Sequence, residues 1–465
     1  MLANAGKKVI LVEEGPYLAV DSAPNYSLEE MNQKYRSGGL TSTFGKPDVN
    51  YVEPLCAGGG SEINAGLCHD PLEEILDKWS HNYEIEDFGK EELSSSFDTI
   101  RDIISITRKL DGLDKSSLKI KEGAERLNWG TREISRFWKY PDNSDSSSGG
   151  TRQSMSETFI PRAISKGCKL LDRTKVKRLK TSGKSANYAL AESKNKDGDI
   201  KGLRINFQAV FLCAGAIQTP YLLRNSGIKY NIGSSLCMHP YARVVALFEE
   251  EINDGNPSVP VVQVNEFKPN LALGGSNSSL PFLALWMAGR KDFREKLASW
   301  KKMGIFYVHT MALGRGKIRK LPIFEEPFVS YSLKNQDMKL LGEGIYKLGE
   351  LLFAAGAKEI FTPIKGLPSV KCIDDLEFMI KGLPFGITDI TTIHLFSSCP
   401  MGENLKKCAV NSYGKLHNYN NIYLSDASVL PDPPGVNPQF LIMQIACRNA
   451  INFLENESSK PFIAT

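Results

Sequence analysis

The chain has 465 residues, enough for two or three domains or for two whose segments interleave. A composition of 42% hydrophobic and 24% charged residues, with a formal net charge of only +4, excludes a disordered polyelectrolyte and gives no overall basic signal for nucleic acid. Nine cysteines without a CxxC pair suggest no zinc site, redox dithiol or disulfide framework, which favours a reducing compartment, the cytoplasm. No apolar run reaches the ~18 residues of a transmembrane segment, and the opening MLANAGKKVILVEEG lacks the cleavage pattern of a signal peptide.

In chain order, Lys8 to Glu13 reads as a buried parallel strand, because Val9, Ile10, Leu11 and Val12 are continuous and apolar. Residues 91–110 carry apolar side chains at Leu93, Phe97, Ile100, Ile103 and Ile104, the spacing of a helix, and a second helix is expected at 118–127. The polar stretch 141-PDNSDSSSGGTR-152 predicts a loop or lid edge. Short strands follow at KLLD, VKRLK, ANYALAES and AVFLCAG, so the basic run 173-RTKVKR-178 is a solvated strand face. A helix then ends near Asn225, with Gly227 as its stop. Further strands are expected at YARVVALFEE, PFLALWM, GIFYVHT and PFVSYSL, with helical pieces at 290–301 and 334–355. The strand 421-NIYLSD-426 precedes a last helix at 438–453. Alternating βα units around a strand-rich middle predict an α/β unit interleaved with one built on an antiparallel sheet.

Four segments carry chemistry. In 7-KKVILVEEG-15 a strand ends in acid, as where a dinucleotide-binding unit holds a ribose, although many strands end in Glu. In 56-CAGGGSEINAG-66 three glycines let backbone approach a flat ring or a phosphate, or simply make a flexible turn. In 210-VFLCAGAIQTPYLLRNSGI-228 a strand runs through the small residues Ala214, Gly215 and Ala216 into a helix, with Thr219 as N-cap and Pro220 at its first position. In 394-HLFSSCPMG-402 and 423-YLSDASVLPDPPGVNPQF-440 a His and an Asn flank a strand–turn–helix element, whose helix N-terminus favours negative charge on a ligand. Each has an ordinary structural explanation when read alone.

Together and in this order, the four blocks resemble the glucose–methanol–choline (GMC) oxidoreductases, including choline dehydrogenase-like flavoproteins, from the start of the chain to about residue 455. The resemblance implies an α/β, Rossmann-like FAD-binding domain, incomplete at its N-terminus, interleaved with an α+β substrate domain built on an antiparallel sheet. FAD-binding segments would occupy residues 1–71, 151–238 and 391–465, with a helical and lid region at 72–150 and a substrate-binding domain at 239–390. Glu13 would bind the adenosine ribose, and Val176 would make a backbone contact to adenine. The loop Gly58, Gly59, Gly60, Ser61, Asn64 and Ala65 would lie along the flavin. Ala214, Gly215, Asp426, Ala427, Pro438 and Gln439 would complete the cofactor site. His394 and Asn437 would be catalytic. The implied reaction is oxidation of a CH–OH group of an alcohol or sugar-like substrate, with hydride passing to FAD and a proton to His394; the electron acceptor is not implied.

Three departures stand out. The GxGxxG strand–turn–helix expected before residue 8 is missing, which predicts weak FAD binding or an inactive product. Glu62 is charged where a small residue is expected. Ile63 replaces the His that tethers flavin in some members, so the FAD should be non-covalent, and His69 is expected to be structural. No metal is implied. The family also includes FAD-containing lyases, a competing reading.

Overall fold

The computed structural model describes residues 1–108, 113–140, 150–255, 259–322 and 324–458. Its largest element is a nine-stranded sheet. The strands run in the spatial order Thr41–Ser42, Val49–Tyr51, Ile390–Thr392, Tyr241–Leu247, Met303–Thr310, Leu271–Gly275, Val262–Val264 and Thr131–Glu133, and Glu359–Phe361 also pairs with Tyr241–Leu247. All pairings are antiparallel except Val49–Tyr51 with Ile390–Thr392. The sheet therefore recruits strands from 41–51 and 131–133 as well as from 239–390.

Helix Asn335–Ala354 packs on this sheet through Met338, Leu341, Ile345, Leu348 and Leu352, spaced three and four residues apart. Gly344 allows the close approach: a Cβ there would meet Val308 Cγ2 at 2.4 Å.

The other half is built from two parallel pairs, Ile10–Val12 with Lys169–Leu171 and Val210–Leu212 with Ile422–Leu424, and an antiparallel triplet, Thr174–Ser182, Ser185–Lys194 and Ile200–Asn206. A second core, including Leu212, Leu223, Phe396, Leu424, Leu441 and Ile445, joins the second parallel pair to the terminal helix Gln439–Ser458.

Several expectations change. The first strand is parallel but not buried: Ile10 is 46% and Leu11 37% exposed, because among the described residues only Lys169–Leu171 pairs with it. The helix expected at 91–110 stops at Asp98 and gives way to a 3-10 turn, Arg101–Ile103; residues 109 and 110 lie outside the described residues. PFLALWM is a helix, Leu280–Met287, not a strand. A short apolar run does not distinguish the two, and Pro281 in the first turn favours the helix. Of the loop expected at 141–152, residues 141–149 lie outside the described residues, while Thr151–Arg152 pairs with Trp138–Lys139. Strand Ile200–Asn206, not expected from the sequence, completes the triplet.

Thr219 and Pro220 do not open their helix. It runs Gly215–Asn225, with Pro220 inside. An internal proline leaves the carbonyl four residues earlier without its amide partner. Here that carbonyl, of buried Ala216, accepts from the Ser398 hydroxyl at 2.6 Å. Ser398→Ala should therefore destabilise the protein by ~1–3 kcal/mol, the cost of a buried acceptor left unpaired. Urea unfolding measures this, and a loss below about 0.5 kcal/mol would show that the carbonyl finds another partner.

Candidate active site

The site forms where the terminal helix meets the segment from 390 to 401. His394 leads into the short strand Leu395–Phe396, which pairs with Cys237–Met238. Thr392 fixes the backbone there: its hydroxyl accepts from His394 N–H at 3.1 Å and donates to His394 C=O at 3.0 Å. Asn437 lies two residues before the terminal helix, and its amide is 3.5 Å from His394 Nε2. Two residues 43 apart in sequence thus face each other. Asn437 Oδ1 is buried and has no hydrogen-bond partner among the described residues.

On the far side of the ring, His394 Nδ1 lies 3.1 Å from His239 Nδ1 and 3.2 Å from the Tyr241 hydroxyl. His309 stacks on His239, with ring centroids 4.8 Å apart. These groups come from adjacent strands, in which Tyr241 pairs with His309 and Arg243 with Tyr307. His69, expected to be structural, continues the network: its Nε2 is 3.0 Å from Gln263 Oε1, and Gln263 Nε2 donates to the Tyr307 hydroxyl at 2.8 Å. Burial, reinforced by His69 and Arg243, pushes His394 down to about 3, so it is neutral at neutral pH. Burial likewise holds His239 and His309 well below the usual imidazole range.

The glycine loop meets the same helix. Asn64 Nδ2 donates to Gln439 Oε1 at 2.7 Å, and Asn64 Oδ1 accepts from Gly66 N–H at 2.9 Å. Residues Gly60–Ile63 form one helical turn, and a Cβ on Gly59 or Gly60 would meet nothing within 4 Å among the described residues. Ala65 accepts from Trp138 Nε1 at 3.3 Å through its carbonyl. Pro438 connects Asn437 to the first turn of the terminal helix.

Asp426 is wholly engaged by protein. Its carboxylate accepts from Gly215 N–H at 2.8 Å, the Thr219 hydroxyl at 2.5 Å and Ser428 N–H at 2.8 Å. Ala427 follows it and packs against both cores. Ala214 is exposed, and Gly215 has φ +86° with open space where a Cβ would stand.

Glu13 closes its strand, its carboxylate accepting from Gly15 N–H at 2.7 Å. Its backbone carbonyl accepts from Thr174 N–H at 2.7 Å, which places Val176 two residues along the neighbouring strand. Glu14, not Glu13, pairs with Arg36 at 2.8 Å and Lys175 at 2.9 Å.

The amino-terminal profile of the GMC oxidoreductases matches residues 31–241, and the carboxy-terminal profile matches 324–446. The chain is 35% identical to the GMC-type oxidoreductase y4nJ of Sinorhizobium fredii (strain NBRC 101917 / NGR234), over 98% of this chain and 92% of that protein. The chain belongs to the GMC oxidoreductase family. The resemblance seen in its motifs is thereby established. Arabidopsis thaliana long-chain-alcohol oxidase FAO3 is a more distant relative, 24% identical over 96% of this chain and 64% of its own length. Among solved structures, pyridoxine 4-oxidase from Mesorbium loti superposes with a TM-score of 0.71 at 13% identity, covering 97% of this chain and 95% of that one. Formate oxidase from Aspergillus oryzae gives 0.69 at 13% identity, covering 98% and 95%. These two establish a shared fold. Among the described residues no helix is long and apolar enough to cross a membrane.

The sequence reading missed His239, Tyr241, His309 and Arg243. The available signal was the two-residue alternation of a strand, which sets Tyr241 with Arg243, and Tyr307 with His309, on one face.

Burial pushes the Glu13 carboxyl from 4.5 up to about 7. The folded protein thus holds that proton more tightly than the unfolded chain, and loses stability as pH rises from about 4.5 to about 7. Glu13→Gln removes this dependence. The variant should match the native protein below about pH 4.5 and exceed it above about pH 7, by ~1–2 kcal/mol after allowance for solvent screening. Thermal midpoints of the two across this range measure it; a difference independent of pH would place the carboxylate in water.

Proposed function

We propose that this GMC oxidoreductase oxidises the CH–OH group of an alcohol, with FAD bound non-covalently and His394 taking the hydroxyl proton. The observation that carries the reading is the facing pair of His394 and Asn437, 3.5 Å apart, with Asn437 Oδ1 buried and without a partner among the described residues. The distant similarity to a long-chain-alcohol oxidase supports an alcohol as substrate.

The residues present fit FAD. The open faces of Gly59, Gly60 and Gly215 leave room beside backbone for a large planar or phosphorylated group. Glu13 would hold the ribose, Val176 the adenine through its backbone, and the 58–65 loop with Pro438 and Gln439 the flavin ring. Ala214, Gly215 and Ala427 would pass along the chain between them, positioned by Asp426, whose carboxylate is already satisfied within the protein. Ile63 offers no nucleophile for a covalent tether. FAD, when bound, supplies the hydride acceptor. The protein's part is to hold an unprotonated imidazole at the hydroxyl, kept neutral by burial and free to accept the proton as the hydride leaves. Asn437 orients the same hydroxyl without competing for that proton, and the positive end of the terminal helix favours negative charge beside it.

Anaerobic mixing of FAD-reconstituted protein with a series of primary alcohols tests the reading. A substrate should bleach the flavin, and His394→Ala should slow bleaching by ~10²-fold or more. Conversion of substrate without bleaching would indicate a lyase, and an unchanged rate in His394→Ala would remove His394 from the mechanism.

A further inference from the structure

Along strand Tyr241–Leu247 successive side chains leave on opposite faces. Ala242, Val244 and Ala246 join the core with helix Asn335–Ala354, whereas Val245 packs with Leu283 and Met287 of helix Leu280–Met287. Arg243 lies between that covered end and Tyr241, whose hydroxyl is 3.2 Å from His394 Nδ1. The Arg243 guanidinium is flanked by the rings of Tyr241 and Trp286, with centres 5.1 and 5.2 Å away, and Nη1 donates to the Thr391 hydroxyl. Of its five N–H groups, no other makes a hydrogen bond among the described residues. No carboxylate among the described residues acts on it either: its ionisable neighbours are Tyr241 and Tyr307, both held neutral by burial. Elsewhere Arg36, Arg152 and Arg315 each meet a carboxylate, and Arg290 and Arg448 donate to two or more backbone carbonyls. Arg243 is half-buried, so its remaining N–H groups are open to a ligand.

We infer that Arg243 binds a carboxylate carried by the substrate, so that the alcohol oxidised at His394 is a hydroxy acid. The inference rests on the reading of His394 as the proton acceptor and names the substrate class of that same site. A guanidinium presents parallel N–H groups that match a carboxylate, and apolar walls that exclude water strengthen the pair. A single cation favours a single negative charge. The basic side chains nearest to it, His309 and His394, are neutral, so a dianionic phosphate would stay half unpaired. Tyr241 touches both ends of the proposed site, its ring centre 5.6 Å from that of His394, so a short aliphatic chain spans from hydroxyl to carboxylate. The anion would also assist the base. Burial first, then His69 and Arg243, oppose a proton on His394, and a carboxylate on Arg243 offsets the last of these as the proton arrives.

Calorimetric titration of FAD-reconstituted protein with butanoate, hexanoate and octanoate, each compared with its amide, tests this without turnover. At least one acid should bind ~10-fold or more tighter than its amide, the advantage of a charge-assisted pair over a neutral one. Arg243→Gln should abolish that preference, and Arg243→Lys, which keeps the charge but not the fork, should reduce it. Equal binding of acids and amides by the native protein would overturn the inference. So would a preference that survives Arg243→Gln, or inorganic phosphate binding tighter than every acid. Should Arg243→Gln not fold, the native comparison and Arg243→Lys decide, an undiminished preference in Arg243→Lys counting against the inference. Anaerobic mixing with the matching ω-hydroxy acids and primary alcohols separates this inference from the reaction it rests on. A preference for acids without bleaching by any hydroxy acid or alcohol would sink the proposed reaction and leave the anion site standing. Bleaching by neutral alcohols in a protein that does not distinguish acid from amide would do the reverse.

Discussion

The geometry of the site depends on one buried carboxylate. Asp426 binds the start of helix Gly215–Asn225 through Gly215 N–H, its second turn through the Thr219 hydroxyl, and its own 3-10 turn through Ser428 N–H. Burial raises its pKa, and the three donors act in the opposite direction. The turn it caps is strung along the His394 segment by backbone bonds: Ser397 N–H to Ala427 C=O at 3.4 Å, Cys399 N–H to Ser428 C=O at 2.8 Å and Met401 N–H to Val429 C=O at 2.9 Å. The same chain then runs on to Asn437. A single acid thereby sets strand end, helix start and both candidate catalytic residues in one frame, and an apolar substitute would leave three donors without an acceptor.

The large sheet supplies what lies behind His394. Its face presents Tyr241, Arg243, Tyr307 and His309 inward, polar groups that burial would penalise if they stood alone. They are met by one another. The Arg243 guanidinium lies 5.1 Å from the Tyr241 ring centre and 5.2 Å from that of Trp286, and it donates to the Thr391 hydroxyl. Gln263 links Tyr307 to His69. A connected polar wall of this kind resists rearrangement, since moving one member unpairs another.

Much of this was legible in the sequence where local chemistry repeats a pattern. A strand does end just before Glu13, a turn does form at the triple glycine, and His394 and Asn437 are neighbours. The long amphipathic helix was equally clear, because a three-and-four spacing over Asn335–Ala354 has no alternative period. The failures have physical causes. PFLALWM has no polar positions to reveal a period. Thr219-Pro220 imitates a helix start, but the true start is imposed by Asp426, which lies 207 residues from Thr219. His239 and His309 gain their importance only from strand pairing across 68 residues, a contact that periodicity along one strand does not encode.

Glu62 shows how a departure from a family pattern can be absorbed locally. A charged side chain in the glycine loop would threaten a planar cofactor if it pointed outward. Instead its carboxylate turns beneath the loop and accepts from Ser156 N–H at 3.1 Å, while the neighbouring Ser61 hydroxyl accepts from Met155 N–H at 2.9 Å and donates to Gly58 C=O at 2.8 Å. The loop is thereby stapled to the 151–157 segment from below. Gly58 is then required by the protein's own packing, since a Cβ there would stand 2.2 Å from Glu62 Oε1, whereas Gly59 and Gly60 remain open on the other side. The three glycines thus divide into one that accommodates an internal carboxylate and two that leave backbone bare toward the candidate cofactor site. The charge that seemed to obstruct the loop is what holds its open face in place.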